Sequence, residues 1–338
     1  MQKGWSFLFG AVSLGAVLLF VAAPFVGWWL PKNVSSFGGQ VDGLFYLILA
    51  ITGFFFILTE GLLVYFMYVY AARPGSHEHP VGHHYAEKKV FWTSFFKSIA
   101  RPVTAVIHNQ HRLEMFWTLV PAAILLFIAF VQVRTWAEIK YQTNMPKPDG
   151  RTQQMEVNAR QFEWHIRYPS LERLDNWKDP AQQGYEPPEE FGKSRHADDV
   201  HVVNEIHVYQ GQKVLVSLKT LDVIHSFYLP NLRLKQDALP GKMIPVWFEA
   251  TEANTKYDEA SRRWVDGYRY DEGSQAWQPD RRHVWELACA ELCGWGHYKM
   301  RGRLYVHPSE ADFRAWLRAT QTEGRATQTP EGATPASR

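Results

Sequence analysis

The first part of the chain is dominated by three long apolar runs. They occupy residues 5–30, 44–70 and 116–133. Each run is close to or above the roughly 20 residues that a helix needs to cross a bilayer. We therefore predict a transmembrane helical hairpin over residues 37–140, preceded by a further apolar segment over residues 1–36.

This leading segment has two interpretations, an additional transmembrane helix or a secretory leader. The best cleavage site, Val21-Ala22-Ala23, is followed by Pro24, which fits a signal peptidase poorly. The apolar run is also longer than is usual for a leader. The anchor therefore contains two to three transmembrane helices, and we favour the interpretation in which the first one is retained.

After Tyr141 the pattern changes to short β-rich or alternating runs separated by Gly and Pro. The runs that predict strands are residues 155–159, 200–209, 214–218 and 244–250. Short strands at close spacing indicate a β-sandwich or a Greek-key barrel. We assign this all-β domain to residues 141–320, with an insert at 251–282 that is compatible with a small hairpin.

The end of the chain is predicted to contain one helix and a tail. Residues 309–320 fit a short helix, whereas residues 321–338 are rich in Thr, Ala, Gly and Pro. Such a composition buries little apolar surface, so we predict that the tail is disordered.

Basic residues give the orientation in the membrane. Segment 71–113 contains six Lys and Arg residues, whereas the link at 31–43 contains only Lys32. The positive-inside rule therefore places 71–113 in the cytoplasm and the β domain outside. We expect the plasma (inner) membrane of a bacterium, with the β domain on its periplasmic or outer side.

The charge and the cysteine content limit which partners and which kind of site the chain could have. A formal net charge of +2 argues against nucleic acid as the main partner. The two cysteines, Cys289 and Cys293, would by default suggest a disulfide in an exported domain. His297 and Met300 follow them closely and His225 lies upstream, and this mixture of soft ligands suits copper. One Cys would be enough for a single copper, and the second could bridge two metal ions.

These residues, taken with Glu291, resemble the dinuclear CuA centre of subunit II of cytochrome c oxidase. Three flanking stretches resemble the same family: 113–118 (Leu-Glu-Met-Phe-Trp-Thr), 160–164 (Arg-Gln-Phe-Glu-Trp) and 225–227 (His-Ser-Phe). The resemblance implies a cupredoxin-like Greek-key barrel behind a membrane anchor. It also implies six copper ligands: His225, Cys289, Glu291, Cys293, His297 and Met300. By the same resemblance Glu291 binds copper through its backbone carbonyl, and its side chain binds a magnesium ion shared with subunit I.

The family resemblance also implies a function and a set of partners. In an oxidase of the aa3/caa3 type, this subunit accepts electrons from cytochrome c, or from a cytochrome c domain of a partner complex. It passes them to haem in subunit I, where oxygen is reduced to water with proton pumping, and subunit III completes the set. The chain has no Cys-x-x-Cys-His motif, so all haems are expected in partners.

The sequence offers candidates for the residue at which electrons enter and for a residue on a proton path. The family often has Trp where this chain has Phe162; Trp164 would share its face if the strand is regular, and Trp295 is a second candidate. Acidic clusters at 186–190 and 251–280 could steer a basic donor. Glu114 either favours the dipole in the first turn of its helix or, by the resemblance, lies at the mouth of a proton path.

Glu60 lies inside the second apolar run. A carboxylate at that depth needs protein or water beside it, which indicates a contact within a helix bundle or with a partner subunit, or a role in handling protons.

Two alternative functions are considered. A membrane-anchored copper chaperone could also carry a Cys-x-x-x-Cys loop, but it usually has a His far downstream of the cysteines, whereas His225 lies upstream and His297 within the motif. Subunit II of a quinol oxidase shares the fold but lacks the copper ligands that this chain retains.

Overall fold

The computed structural model describes residues 2–26, 28–69, 110–149, 151–178, 188 and 191–328. The chain divides into two compact units. One contains Met1–Leu30 and Leu44–Arg134, and the other contains Pro31–Gly43 and Thr135–Arg338. Most of the predicted cytoplasmic loop, 71–113, lies outside the described residues, as do the acids at 186, 189 and 190.

Three helices form the membrane anchor: α1 (Gln2–Ala22), α2 (Gly38–Val69) and α3 (Gln110–Lys140). Within the part of the chain that the structure describes, these three are long and apolar enough to cross a bilayer. The prediction of a membrane anchor is therefore confirmed.

Helix α1 packs along α2 in the opposite direction. The rings of Phe7 and Tyr68 are 5.9 Å apart, centre to centre, and a Cβ on Gly10 would lie 3.4 Å from Val64. One turn further along, the Ser13 hydroxyl donates a hydrogen bond of 3.0 Å to Glu60. An intramembrane carboxylate is costly without such a partner. Of the possibilities considered for Glu60, the structure contains a contact within the helix bundle, and α1 makes it.

Two five-stranded sheets form the β domain. The strands of the first are β1 (Gln153–Arg160), β2 (Glu163–Tyr168), β3 (Val200–Val203), β5 (Lys213–Thr220) and β8 (Ile244–Glu249). The strands of the second are β4 (Glu205–Tyr209), β6 (His225–Leu229), β7 (Leu234–Ala238), β13 (Trp285–Cys289) and β14 (Arg301–His307). The first sheet has the order β3-β2-β1-β5-β8 and the second the order β4-β14-β13-β6-β7. Their inner faces enclose one core that includes Trp164, Phe227, Phe248 and Trp285, so the predicted all-β, cupredoxin-like class is confirmed.

Two segments that the sequence pattern predicts as single elements each form two elements in the structure. The run at 200–209 forms two strands in different sheets, because Asn204 adopts a positive φ of 60° between them. The insert at 251–282 forms two hairpins. They are β9 (Lys256–Asp258) with β10 (Arg263–Val265), and β11 (Tyr268–Asp271) with β12 (Ala276–Pro279).

Two helices flank the sheets. A short one, α4 (Leu171–Asn176), begins after Ser170, whose hydroxyl accepts the hydrogen bond of the Arg173 amide. The last one, α5, spans Glu310–Gln328. The prediction of disorder was therefore wrong for residues 321–328, and residues 329–338 lie outside the described part.

The link between α1 and α2, residues 31–43, is an integral part of the β domain, and we name it the strap. Val34 and Phe37 are buried in its core, and Ser35 forms a β-bridge with Ala250. Arg233 donates a hydrogen bond of 2.7 Å to Asp42, which fixes the end of the strap. The predicted boundaries at residues 36 and 141 therefore cut through one packed unit.

Candidate metal centre

Neighbouring strands bring the two predicted ligand loops together. His225 begins β6, Cys289 ends β13, and the two strands are paired in an antiparallel ladder. The backbone continues this pairing into the loop, because Ala290 donates to the Ser226 carbonyl and Cys289 donates to the Met300 carbonyl. The loop from 290 to 300 therefore closes on itself at the end of the sheet.

The side chains of the loop form two sets of donor atoms. The Cys289 Sγ lies 3.8 Å from His225 Nδ1 and 3.2 Å from the Glu291 carbonyl oxygen. The Cys293 Sγ lies 3.5 Å from His297 Nδ1 and 3.9 Å from Met300 Sδ. The structure thus brings all six predicted ligands to one place.

The donor atoms fit a pair of soft metal ions. The two cysteines are unpaired thiols, and their sulfur atoms are 3.9 Å apart. That distance is less than twice a metal–sulfur bond of about 2.3 Å, so one ion can contact both sulfurs. Each sulfur has its own imidazole and one weaker donor beside it, a carbonyl oxygen or a thioether. Thiolate, imidazole and thioether together favour copper.

Burial shapes the acid–base chemistry of the Cys293 thiol. Burial and the neighbouring Cys289 raise the pKa of Cys293 to about 11. Metal binding requires the thiolate, so loading must release a proton from Cys293.

Asp222 orients His225. The carboxylate lies 2.8 Å from Nε2 of the ring, which leaves Nδ1 directed at Cys289. Burial works to raise the pKa of Asp222, but hydrogen bonds from the Gln161 amide, His225 and the Val223 amide outweigh it and hold the pKa below its usual value. A carboxylate on the second nitrogen is the usual support of a metal-binding imidazole.

The two tryptophans proposed for electron transfer occupy opposite environments. Strand β1 ends at Arg160 and β2 begins at Glu163, so Phe162 lies in a turn and the assumption of one regular strand was wrong. Trp164 is 0% exposed and packs edge-on against His225, whereas Trp295 in the ligand loop is 83% exposed. Trp164 is therefore an inner wall of the site, and Trp295 is at its surface.

Several large apolar side chains on the loops that carry the ligands are exposed, and apart from Trp295 the sequence analysis did not single them out. We name this set the apolar collar; its members are Leu221, Val223, Ile224, Leu292, Trp295 and Tyr298. Large apolar side chains directly beside metal ligands, such as Leu292 next to Cys293, were the available signal. Exposed large apolar side chains grouped on loops beside a site are typical of a docking surface.

The remaining predicted residues are placed as follows. The Glu291 side chain is exposed, whereas its carbonyl faces Cys289. Glu114 lies in the other unit, four residues after α3 begins, so the expectation of a first-turn position was wrong. Its carboxylate is 61% exposed and lies 3.9 Å from His111.

Known proteins resemble this chain along most of its length. The family model of the cytochrome c oxidase subunit II transmembrane domain matches residues 90–134, and that of its periplasmic domain matches residues 155–264. The alternative cytochrome c oxidase subunit 2 of Bradyrhizobium diazoefficiens is 24% identical over 316 residues, which cover 92% of this chain and 90% of the relative. Cytochrome c oxidase subunit 2 of Thermostichus vulcanus is 25% identical over 315 residues, which cover 86% of this chain and 78% of the relative.

A solved structure also matches part of the chain. It is the periplasmic domain of subunit II of cytochrome oxidase of Bradyrhizobium japonicum, 20% identical, with a TM-score of 0.34. The match covers 53% of this chain and 98% of that one.

The fold and the cluster define a membrane-anchored, cupredoxin-like metalloprotein. The two family models and the curated relatives support its assignment to the subunit II class of haem–copper oxidases, which the chain resembles in both its membrane part and its β domain. The family implies a copper site, and the described residues contain a cluster of His225, Cys289 and Cys293 whose ligand atoms lie within 4.8 Å of one another. The match to the periplasmic-domain model ends at residue 264. The five predicted ligands from Cys289 to Met300 lie beyond it, so their assignment depends on the geometry of the loop.

Proposed function

We propose that this chain is the electron-accepting subunit of a cytochrome c oxidase of the aa3/caa3 type, with a dinuclear CuA centre. The observation that carries the proposal is the division of the donors into two sets around two sulfur atoms 3.9 Å apart. His225, Cys289, the Glu291 carbonyl, Cys293, His297 and Met300 would hold the copper pair, with one histidine for each copper. When bound, such a pair supplies a site that takes up and releases one electron.

The chain's own part is to hold the donors still. Met300, His225 and Trp164 are all 0% exposed, so the site is walled from water on its inner side. Asp222 fixes the His225 ring, and the sheet fixes both ends of the ligand loop. Rigid donors lower the rearrangement that accompanies a change of charge, which suits an electron relay better than a substrate-binding catalyst.

The apolar collar supports a route for electrons. We infer that cytochrome c, or a cytochrome c domain of a partner complex, docks on the collar and that Trp295 is the contact through which electrons enter. They would pass to haem in subunit I for the reduction of oxygen to water coupled to proton pumping, with subunit III in the same complex. The β domain would then face the periplasmic side of a bacterial plasma membrane, as the basic segment 71–113 predicts.

Two glutamates would face partner subunits. The carbonyl of Glu291 points at the copper site while its carboxylate is exposed, so the side chain is available for a magnesium ion shared with subunit I. The exposed carboxylate of Glu114 on α3 fits a place at the mouth of a proton path in subunit I.

Metal analysis of the purified full-length complex tests the proposal. We expect two coppers in this subunit and a paramagnetic spectrum in which one electron is shared over both. A fully loaded subunit with one copper, or with zinc instead, would contradict it.

A further inference from the structure

The turn between β1 and β2, Gln161 and Phe162, lies against both ligand loops. The backbone amide of Gln161 donates a hydrogen bond of 2.7 Å to Asp222, the residue that holds His225. The side-chain amide of Gln161 donates a hydrogen bond of 2.5 Å to the carbonyl of Cys293. One residue thus links the support of an imidazole ligand to the backbone of a thiolate ligand.

Close packing reinforces these two hydrogen bonds. Gly294 has a φ of +128°, and a Cβ there would lie 2.7 Å from Gln161 Nε2. A Cβ on Gly296 would lie 2.4 Å from the Phe162 ring. Only glycine permits so close an approach at both positions, so the turn and the ligand loop fit each other without a gap.

We propose that Gln161 is a positioning residue of the metal centre. Its backbone amide fixes the Asp222–His225 pair, and its side-chain amide fixes the Cys293 peptide, so that the two ligand loops are held in one register. The inference rests on the proposed copper function and extends it to a residue that binds no metal.

We name the two hydrogen bonds of Gln161, to Asp222 and to the Cys293 carbonyl, the clamp. The position of Cys293 explains why the clamp is needed. Cys289 lies at the end of β13 and is fixed by the ladder, whereas Cys293 lies beyond the sheet in the loop. The Cys293 carbonyl accepts its hydrogen bond from the turn, not from a neighbouring strand. Without that bond the loop would be able to change the separation of the two sulfurs, on which electron sharing depends.

Substitutions of Gln161 in the full-length complex test the proposal. Gln161→Met keeps the length of the side chain but removes the donor, whereas Gln161→Lys restores a donor. Gln210→Met is the matched control, because Gln210 makes the same kind of bond, 2.9 Å from its amide to the carbonyl of Thr251. The measurements are the rate of copper loss to a chelator and the spectrum of the shared electron.

We expect Gln161→Met to weaken copper retention by roughly tenfold or more, as is usual when an outer support of a metal ligand is removed. The spectrum should show less even sharing of the electron. Gln161→Lys should recover most of the retention, and Gln210→Met should match the original protein. If Gln161→Met does not assemble, Gln161→Asn, whose amide is one methylene too short, takes its place with the same expectation.

Two results would overturn the clamp. One is copper retention and spectrum in Gln161→Met that equal those of Gln210→Met. The other is equal loss in the Met and Lys variants, which would show that packing and not the hydrogen bond matters. A wild-type complex without two coppers would instead refute the proposed function.

Discussion

Two aspartate–histidine pairs with the same spacing lie near the two ends of β13, and only one belongs to the metal centre. Asp222 lies 2.8 Å from His225 Nε2, and Asp280 lies 3.2 Å from His283 Nδ1. Both histidines are at most 1% exposed. The second nitrogen of His225 faces the Cys289 sulfur at 3.8 Å, whereas that of His283 lies 3.2 Å from the Lys32 ammonium.

The comparison shows that burial and a carboxylate partner do not make a histidine a ligand. Its remaining lone pair must face a site that a cation can occupy, and an ammonium group already fills that place beside His283. His283 instead joins the strap to the insert, since Glu252 also lies 3.4 Å from its ring and forms an ion pair with Lys32.

The largest effect that sharpens this contrast is expected at Cys293. Cys293→Ser should abolish the shared-electron signal and, with it, the rapid acceptance of electrons, because a hydroxyl is a poor bridging ligand. His283→Gln, at the other end of β13, should leave the signal unchanged. Paramagnetic spectra and copper content of the two complexes check this expectation, and a normal spectrum in Cys293→Ser would contradict it.

The second-largest effect is expected from a direct test of the two aspartate–histidine pairs. Asp222→Ala should weaken copper binding by about 10- to 100-fold, the range typical for loss of the group that orients a metal-binding imidazole. Asp280→Ala removes an aspartate at the same spacing from a histidine and should leave copper binding unchanged. Competition with a chelator measures both, and equal effects would show that the pairs do not differ as the structure indicates.

The metal ligands and the strap show which features of the domain can be predicted from sequence. The six ligands were predictable because five of them lie within twelve residues, from 289 to 300, and their chemistry is specific. The strap was not, because Ser35 and Phe37 find their partners Ala250 and Trp247 more than 200 residues away. Isolated apolar residues in a short, mostly polar link between two membrane helices carry no sign of such a contact.

Local geometry accounts for the other errors. Trp164 was expected to share the face of Phe162 because the stretch 160–164 reads as one strand, and no Gly or Pro signals the turn at Gln161 and Phe162. The break at Asn204 was equally hidden inside a β-rich run. The clamp between Gln161 and Cys293 joins residues 132 positions apart, so neither motif alone predicts it.

His283 itself should contribute to stability in a pH-dependent way. Burial and the positive Lys32 outweigh Asp280 and Glu252, so the pKa of His283 is lowered in the folded state. The unfolded chain therefore binds more protons, and stability is lost as the pH falls below about 6.5, the value for an unperturbed histidine. His283→Gln should reduce this loss in acid, at a cost of about 1–3 kcal/mol at neutral pH from the disrupted contacts.

Thermal melting of the β domain within the complex, followed from pH 8 to pH 5, measures the difference. Some acid sensitivity should persist, because burial also lowers the pKa of His207 and His307. A variant whose stability falls as steeply with acid as the original would contradict the role of His283.

The two tryptophans beside the metal centre offer a smaller, kinetic contrast. Trp295→Phe should slow reduction by the donor several-fold without loss of copper, because the exposed indole lies where a partner can touch it. Trp164→Phe should instead alter the copper spectrum, because that ring packs on His225. Stopped-flow reduction separates the two, and a slower reaction in Trp164→Phe alone would place the electron route through the inner wall.

The smallest effect concerns how the donor is attracted. The charged side chains on the two collar loops are Asp222, Glu291 and Lys299, two acids and one base, so the collar is close to neutral. Apolar contact should therefore supply the affinity, and Tyr298→Ser should raise KM roughly fivefold, as expected for about 1 kcal/mol of lost contact. The acids that the sequence predicts to steer a donor, Glu186, Glu189 and Glu190, would attract only a basic donor, within a Debye length of about 8 Å at physiological salt. Neutralising them should lower the on-rate at low salt and leave turnover at saturation unchanged, whereas Tyr298→Ser should act at every salt concentration.

Two outcomes of the salt series would contradict this expectation. If KM rises equally with salt in both variants and in the original complex, steering by charge comes from other residues. If salt has no effect on any of them, the donor is held by its own subunit and does not diffuse.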